Sequence, residues 1–550
     1  MQGIEGEKGE EKKRVPKGAT LIDIARDHGA PGPSPIVAAR VNNELRELTY
    51  SLDEDASIEF LDLQTEDGMR IYQRSLVSLL VMAAREILAG CRVSVEHSLG
   101  GGLYGEIYWE RPITERDIEN IEARMREIVG RDVPFAKNTI SKEEAIALFE
   151  KDGQHDKVRL LEYRKSPTIN IYTCDWFSDY SYGYMVPSTG YLKLFRLRFY
   201  LPGFILEFPS RSDPTRIPEY AEQGKLASVF FEAERWGQVL NVSDVASLND
   251  IVSQGNIGDI IRVAEAFHEK KIAKIADLIT ENRDRLRLVL IAGPSSSGKT
   301  TFAQRLAVQL RVNGLRPVSI SLDDYFVDRE HTPRDGAGGY DFEALEAIDL
   351  KLFNEHLTRL IQGEEVELPT FNFLKGKREF TGRRLRIRPD QPVIIEGIHG
   401  LNDRLTLSIP KSRKFKIYVS ALTQLNIDNH NRIPTTDVRL LRRIVRDSQF
   451  RSHSALETIR LWPNVRRGEE RNIFPFQEEA DIMFNSALAY ELAVLKKYAE
   501  PLLEAIDRSV PEYSEAKRLL KFLDYFLEVD PGDVPANSLL REFIGGSCFA

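Results

Sequence analysis

Gly293-Pro294-Ser295-Ser296-Ser297-Gly298-Lys299-Thr300 lies between two runs of different periodicity, and its reading decides the fold. Ahead of it, Leu288-Val289-Leu290-Ile291-Ala292 is a continuous apolar run of strand length. Behind it, Phe302, Leu306 and Leu310 recur at helical spacing. A strand, a glycine-bearing turn and a helix in that order gather backbone N–H groups and a helix N-terminus around one point, which attracts an anion. The spacing G-x-x-x-x-G-K-[ST], closing on Lys299 and Thr300, adds an ammonium for terminal phosphates and a hydroxyl for Mg2+. A Gly/Ser turn before an ordinary helix is the bland alternative. The strand and helix on either side argue against it.

With 550 residues the chain is longer than one hydrophobic core sustains, and roughly two to four domains are expected. A hydrophobic share of 42% and a charged share of 29% describe a soluble globular protein. The formal net charge of −9 argues against a general nucleic-acid coat, although local basic patches stay open. Cys91, Cys174 and Cys548 are too few and too scattered for a disulfide framework or a Cys-rich zinc module. No run approaches the roughly 20 apolar residues of a membrane span. Residues 1–17 are charged and Gly-rich, which suits a disordered tail and not a secretory signal. A reducing cytoplasm is the default address.

Residues 18–66 form a small α+β unit: a helix begins near Leu21, and Ile36 to Val41 and Ser57 to Leu61 read as strands. Residues 67–245 form a larger α+β region. Leu76, Leu79, Leu80, Ala83 and Ile87 mark one helix face, and Thr114 with Asp117 and Ser141 with Glu144 open two further helices by capping boxes. Ile169 to about Glu207 alternates as an antiparallel sheet would. Residues 246–286 read as a helical connector, 287–505 as alternating strands and helices around a mainly parallel sheet covered on both faces, and 506–550 as a helical extension.

Around the loop, Pro317 to Leu322 reads as a strand that delivers Asp323 and Asp324 to its carboxyl end, where ligands of open α/β sheets sit. Either carboxylate can accept a hydroxyl proton or reach Mg2+ through water, and the bland reading is a turn cap. Val393-Ile394-Ile395 carries Glu396 to a second strand exit, with His399 nearby as a candidate contact or a structural histidine. From Asp437 to Asp447 a helix clusters Arg439, Arg442, Arg443 and Arg446 on one face without an interleaved acid. Like charges at that spacing repel, and a triphosphate would relieve them. Lys375 to Arg388 is a second basic stretch, whose Arg384 to Arg388 alternation is also that of a half-exposed strand.

These pieces together resemble the uridine kinase and phosphoribulokinase family of P-loop kinases over residues 287 to about 490. The match runs through the loop (with Thr301 completing it), Ser321 to Phe326, Tyr340-Asp341-Phe342, Leu368 to Phe373, Glu396-Gly397-Ile398 and the Arg439 to Asp447 helix. The resemblance implies a three-layer α/β domain using ATP and Mg2+. It makes Asp323 the base toward the acceptor hydroxyl, with Lys299, Arg443 and Arg446 around the transferring phosphoryl group. It also implies a metal site at Thr300 and Glu396, and acceptor contacts from Asp341, Phe371 and Arg439. Uridine kinases typically carry a histidine that reads the pyrimidine where this chain has Gly376, and Asn372 replaces an aspartate.

Residues 18–66 resemble a TGS domain, a ubiquitin-like β-grasp module. Residues 67 to about 240 are similar to the second, editing-type domain of threonyl-tRNA synthetases, through Gly101 to Glu106, the Ile121 to Val129 helix and Val186 to Gly190. The hydrolytic His, His, Cys and His of that family fall on Arg74, Ser78, Ser181 and Met185, none of which supplies imidazole or thiolate. Three functions follow as expectations. The first is phosphoryl transfer from ATP to a nucleoside or related sugar hydroxyl. The second is the same transfer to a pentose phosphate. The third is a nucleotide-switched regulatory protein that binds RNA or tRNA, and an amino-acid ligand of the N-terminal domains is a further possibility for that half. A homo-oligomer is left open.

Overall fold

The computed structural model describes residues 14–28, 34–334, 338–372, 375–423 and 425–549. Phe373 and most of the expected N-terminal tail lie outside them. The chain divides into two units. One contains the described residues up to Gly153, Ser166–Ala221 and Asp507–Ser514; the other contains Gln154–Lys165, Glu222–Ile506 and Glu515 onward.

In the first unit, the helix Leu21–His28 covers a three-stranded antiparallel sheet of Glu44–Glu47, Ala38–Val41 and Ile58–Leu61, with Ala38–Val41 central. Leu21, Ile24, Val41 and Leu48 fill its small core. The long helix Glu66–Ile87 and the helix Glu115–Arg131 bury Leu76, Leu80, Ile121 and Met125. Val93, Leu103 and Phe204 of a four-stranded antiparallel sheet share that core. Both expected capping boxes form, at Thr114 with Asp117 and at Ser141 with Glu144. The alternating region 169–207 is not one sheet. Thr168–Cys174 and Phe177–Tyr180 pair with Ala136–Ser141, whereas Arg196–Tyr200 and Gly203–Glu207 join the four-stranded sheet. A period of two shows that residues are strands but not which strands they pair with.

In the second unit, five parallel strands are β1 (Leu288–Ala292), β2 (Val318–Ser321), β3 (Val393–Glu396), β4 (Lys414–Ser420) and β5 (Ile482–Asn485), in the spatial order β2-β3-β1-β4-β5. Alternate residues of β1 feed opposite cores. Val289 and Ile291 meet Phe302, Leu306 and Leu310, while Leu288 and Leu290 share a core with Phe353, Leu357 and Leu360. Burial on both faces explains why β1 is apolar without alternation. Residues 246–286 do more than connect: helix α1 (Ile257–Glu281) puts Ile272, Ile275 and Ile279 into the same core as α2 (Lys299–Val312). Four further helices bear on the site: α3 (Thr435–Phe450), α4 (Ala455–Asn472), α5 (Glu491–Glu504) and the single turn α6 (Arg541–Ile544). Among the described residues no helix is long and apolar enough to cross a membrane.

Candidate active site

The loop leaves β1 and enters α2 through two positive-φ residues, Ser296 at 58° and Gly298 at 83°. Left-handed backbone turns successive N–H groups inward, the geometry an anion nest needs. Lys299 Nζ donates to the Pro294 carbonyl at 3.1 Å, folded back over the loop. Burial lowers its pKa, against the opposing pull of the Glu396 and Glu542 charges.

Thr300 and Glu396 meet: the threonine Oγ1 donates to Glu396 Oε1 at 3.1 Å. Burial raises the Glu396 pKa, Lys299 opposes the shift, and Asp323 reinforces it. A hydroxyl beside a carboxylate is a hard-oxygen donor pair, and this corner fits Mg2+. Asp323 stands past the end of β2 on the 3-10 turn Leu322–Tyr325, its N–H donating to Ser321 Oγ at 3.2 Å. Solvent reaches it, yet the cleft crowds it: desolvation raises its carboxyl pKa, and the Lys299 charge pulls the other way. Asp324, the other carboxylate of the pair, is taken by Arg383 at 3.3 Å.

The arginine helix departs from the sequence reading. Its like charges are relieved by protein carboxylates brought from elsewhere, so no polyanion is required to hold the face together. Arg439, expected at the acceptor, is 1% exposed, pairs with Glu469 at 2.8 Å and donates to the Ser295 carbonyl at 3.2 Å. Arg442 is fully buried, bonds Glu491 at 2.8 Å and donates to the Ser296 carbonyl at 3.3 Å. These two hold the loop from beneath. Arg443 reaches the loop from its outer side, donating to Ser295 Oγ at 2.8 Å and to Asp447 at 3.1 Å. Arg446 lies 3.5 Å from Glu542 of α6, its pKa lowered to about 10 by burial and by Arg451. Glu469 also accepts the Ser295 N–H at 2.9 Å. Neither Glu469 nor Glu542 was singled out from sequence, because each meets the loop only through the tertiary fold.

Of the residues expected at the acceptor, Asp341 pairs with Arg471 of α4 at 3.2 Å and accepts the Glu343 N–H. Glu343, also missed, has its pKa raised to about 7 by burial and by Glu469. Phe371 is buried with its ring edge-on to Phe326 at 5.6 Å. Gly376 has a φ of 64°, and a Cβ there would meet Arg329 Nε at 2.8 Å, so the arginine side chain covers the place of the pyrimidine-reading histidine. His399 is 2% exposed and held to about pKa 4 by burial, which suits a structural histidine. The basic stretch forms a hairpin arm, Lys377–Leu385 against Val366–Asn372, with Arg378 on Asp349 and Arg384 on Glu365.

In the first unit, Arg74, Ser181 and Met185, three of the four positions aligned with the editing site, meet around the segment 181–185. Arg74 donates to the Tyr184 carbonyl at 2.8 Å and packs on the Tyr182 ring, while Ser75, next to it, bonds Met185. Ser78 is buried, and Ser181 Oγ donates to the Gly183 carbonyl. None of the four positions supplies an imidazole or a thiolate. Cys91 and Cys174 are buried and unpaired by disulfide, and Cys548 is exposed.

Residues 288–492 match the model of the phosphoribulokinase / uridine kinase family. The N-terminal half matches threonine–tRNA ligases. That of Marinobacter nauticus is 34% identical over 179 residues, 32% of this chain and 28% of the relative. That of Bacillus velezensis is 32% identical over 186 residues, 34% of this chain and 29% of the relative. The chain therefore spans under a third of the length of these curated relatives. A solved chain described as a possible uridine kinase from Bacillus stearothermophilus is 19% identical, with 36% of this chain and 89% of that one aligned at a TM-score of 0.25. Residues 288–492 of the second unit thus match the phosphoribulokinase / uridine kinase family, in one chain with a region similar to part of the threonine–tRNA ligases.

Proposed function

We propose that the second unit transfers the γ-phosphoryl group of ATP to a hydroxyl of a small acceptor, a nucleoside or related sugar. The observation that carries this reading is the convergence at the carboxyl ends of β1, β2 and β3 of Lys299, Glu396 and Asp323, whose charges act on one another, with Thr300 hydrogen-bonded to Glu396. The acceptor oxygen attacks the γ-phosphorus, the bond to the ADP oxygen breaks, and the acceptor proton passes to Asp323. Lys299 and Arg443 neutralise the charge on the transferring group, and Arg446 does so once its contact with Glu542 is given up. Thr300 and Glu396 would hold Mg2+, which would supply positive charge to offset that of the phosphates. A coupled ADP-release screen of the full-length protein against nucleosides and sugar phosphates tests the reading. Full phosphotransfer by a Lys299→Ala variant would sink it.

Arg329 over Gly376 favours a second reading of the acceptor, a phosphorylated sugar such as a pentose phosphate, because a guanidinium suits a phosphate better than a pyrimidine edge. Turnover of sugar phosphates and not nucleosides would select it. For the first unit, similarity to tRNA ligases supports an RNA or amino-acid ligand. Filter binding of tRNA at two salt concentrations checks the RNA half, and no salt-dependent retention removes it.

A further inference from the structure

Glu542 caps the helix start that follows the phosphate loop. Its Oε2 accepts both the backbone N–H of Thr301, at 3.2 Å, and the Thr301 hydroxyl, at 2.9 Å. Thr301 belongs to the first turn of α2, whose N–H groups have no partner within the helix and are where a phosphate chain binds. The other carboxylate oxygen faces Arg446, one of the arginines assigned to the donor phosphates. The carboxylate is held there by its own segment. Leu539 and Phe543 are fully buried, a Cβ on Gly298 would touch Leu539 at 3.2 Å, and the Phe543 ring lies 5.0 Å from the Arg442 guanidinium. Farther along, Gln304 of α2 donates to the Phe549 carbonyl at 3.2 Å.

We propose that Glu542 is a resident anion of the donor site, a tethered competitor that nucleotide phosphates must displace before they bind. This rests on the donor-site reading above and concerns its regulation. Because Leu539 and Phe543 are core residues, displacement needs only the Glu542 side chain to turn out. The segment itself stays seated. A competitor seated nine-tenths of the time weakens apparent affinity about tenfold.

The test is calorimetric titration of the full-length protein and its Glu542→Gln variant with Mg-ATP, tripolyphosphate and adenosine. Glu542→Gln keeps the side-chain shape and loses the charge, and Glu542→Ala serves as a second variant should the first not fold. Mg-ATP and tripolyphosphate should bind about tenfold more tightly to the variant, with adenosine unchanged. A purely structural role would leave or weaken ATP binding, so unchanged or weaker ATP affinity overturns the proposal. So does an equal gain for adenosine. Failure of either protein to bind ATP or tripolyphosphate would remove the donor-site reading itself, and this proposal with it.

Discussion

Arg439 and Glu469 form a buried pair directly beneath the phosphate loop, each only 1% exposed, and each also holds a backbone group of Ser295. Removing one partner leaves an uncompensated charge in the interior, which typically costs about 3–5 kcal/mol. Arg439→Met should therefore unfold at clearly lower denaturant concentration than the parent. Arg439→Met combined with Glu469→Leu should recover much of that loss. Chemical denaturation of the three proteins measures both.

Arg443, one turn along the same helix, should behave differently. It is 15% exposed, donates to Ser295 Oγ of the loop and pairs with Asp447 of its own helix. Arg443→Ala should keep the parental denaturation midpoint within about 1 kcal/mol and lose phosphotransfer by roughly 10²-fold or more. Steady-state kinetics beside the same denaturation curve separates the two roles.

Asp323 must be ionised to accept a proton, and desolvation in the cleft raises its pKa above the ordinary 3.8. The acid limb of kcat/KM should accordingly lie at higher pH than an ordinary aspartate would set. Rate should fall as pH drops through the raised value. Asp323→Asn should lower kcat by about 10²–10⁴-fold and abolish that limb. A pH–rate profile on the best acceptor is the measurement.

Glu343 gives a stability prediction of definite sign. Its carboxyl titrates near 7 in the folded chain and at an ordinary value of 4.5 when unfolded. Between those values the native state holds a proton that the unfolded state has lost, so stability falls as pH rises from 4.5 through 7. Glu343→Gln should flatten that part of the profile. Thermal melts at pH 5 and pH 7.5 would show it, and a parental slope retained in the variant would assign the effect elsewhere.

Much of the fold was legible because it is local. The strand before the loop, the helix after it and the two capping boxes are each set within a few residues, and the structure has them in place. What the arginine helix meets was not legible. Glu469, Glu491 and Glu542 lie 30, 49 and 96 residues beyond their arginines, and no periodicity announces a partner at that distance. Like charges on one face therefore invited a ligand as counter-ion where the chain supplies its own. Sheet membership at 169–207 escaped for a related reason, since alternation fixes the face of a residue and not its neighbour strand. Gly376 could be read as a missing histidine, whereas the filling of that space by Arg329 follows only from the fold.

The grip of Arg439 and Arg442 on the Ser295 and Ser296 carbonyls reaches across 144 and 146 residues of chain. The eight-residue signature is thus portable as a motif but not as a part. Grafted with only its own strand and helix onto another scaffold, it would arrive with those carbonyls unclaimed and its curvature unsupported. Anyone moving this loop would have to move the two arginines, and the glutamates that anchor them, along with it.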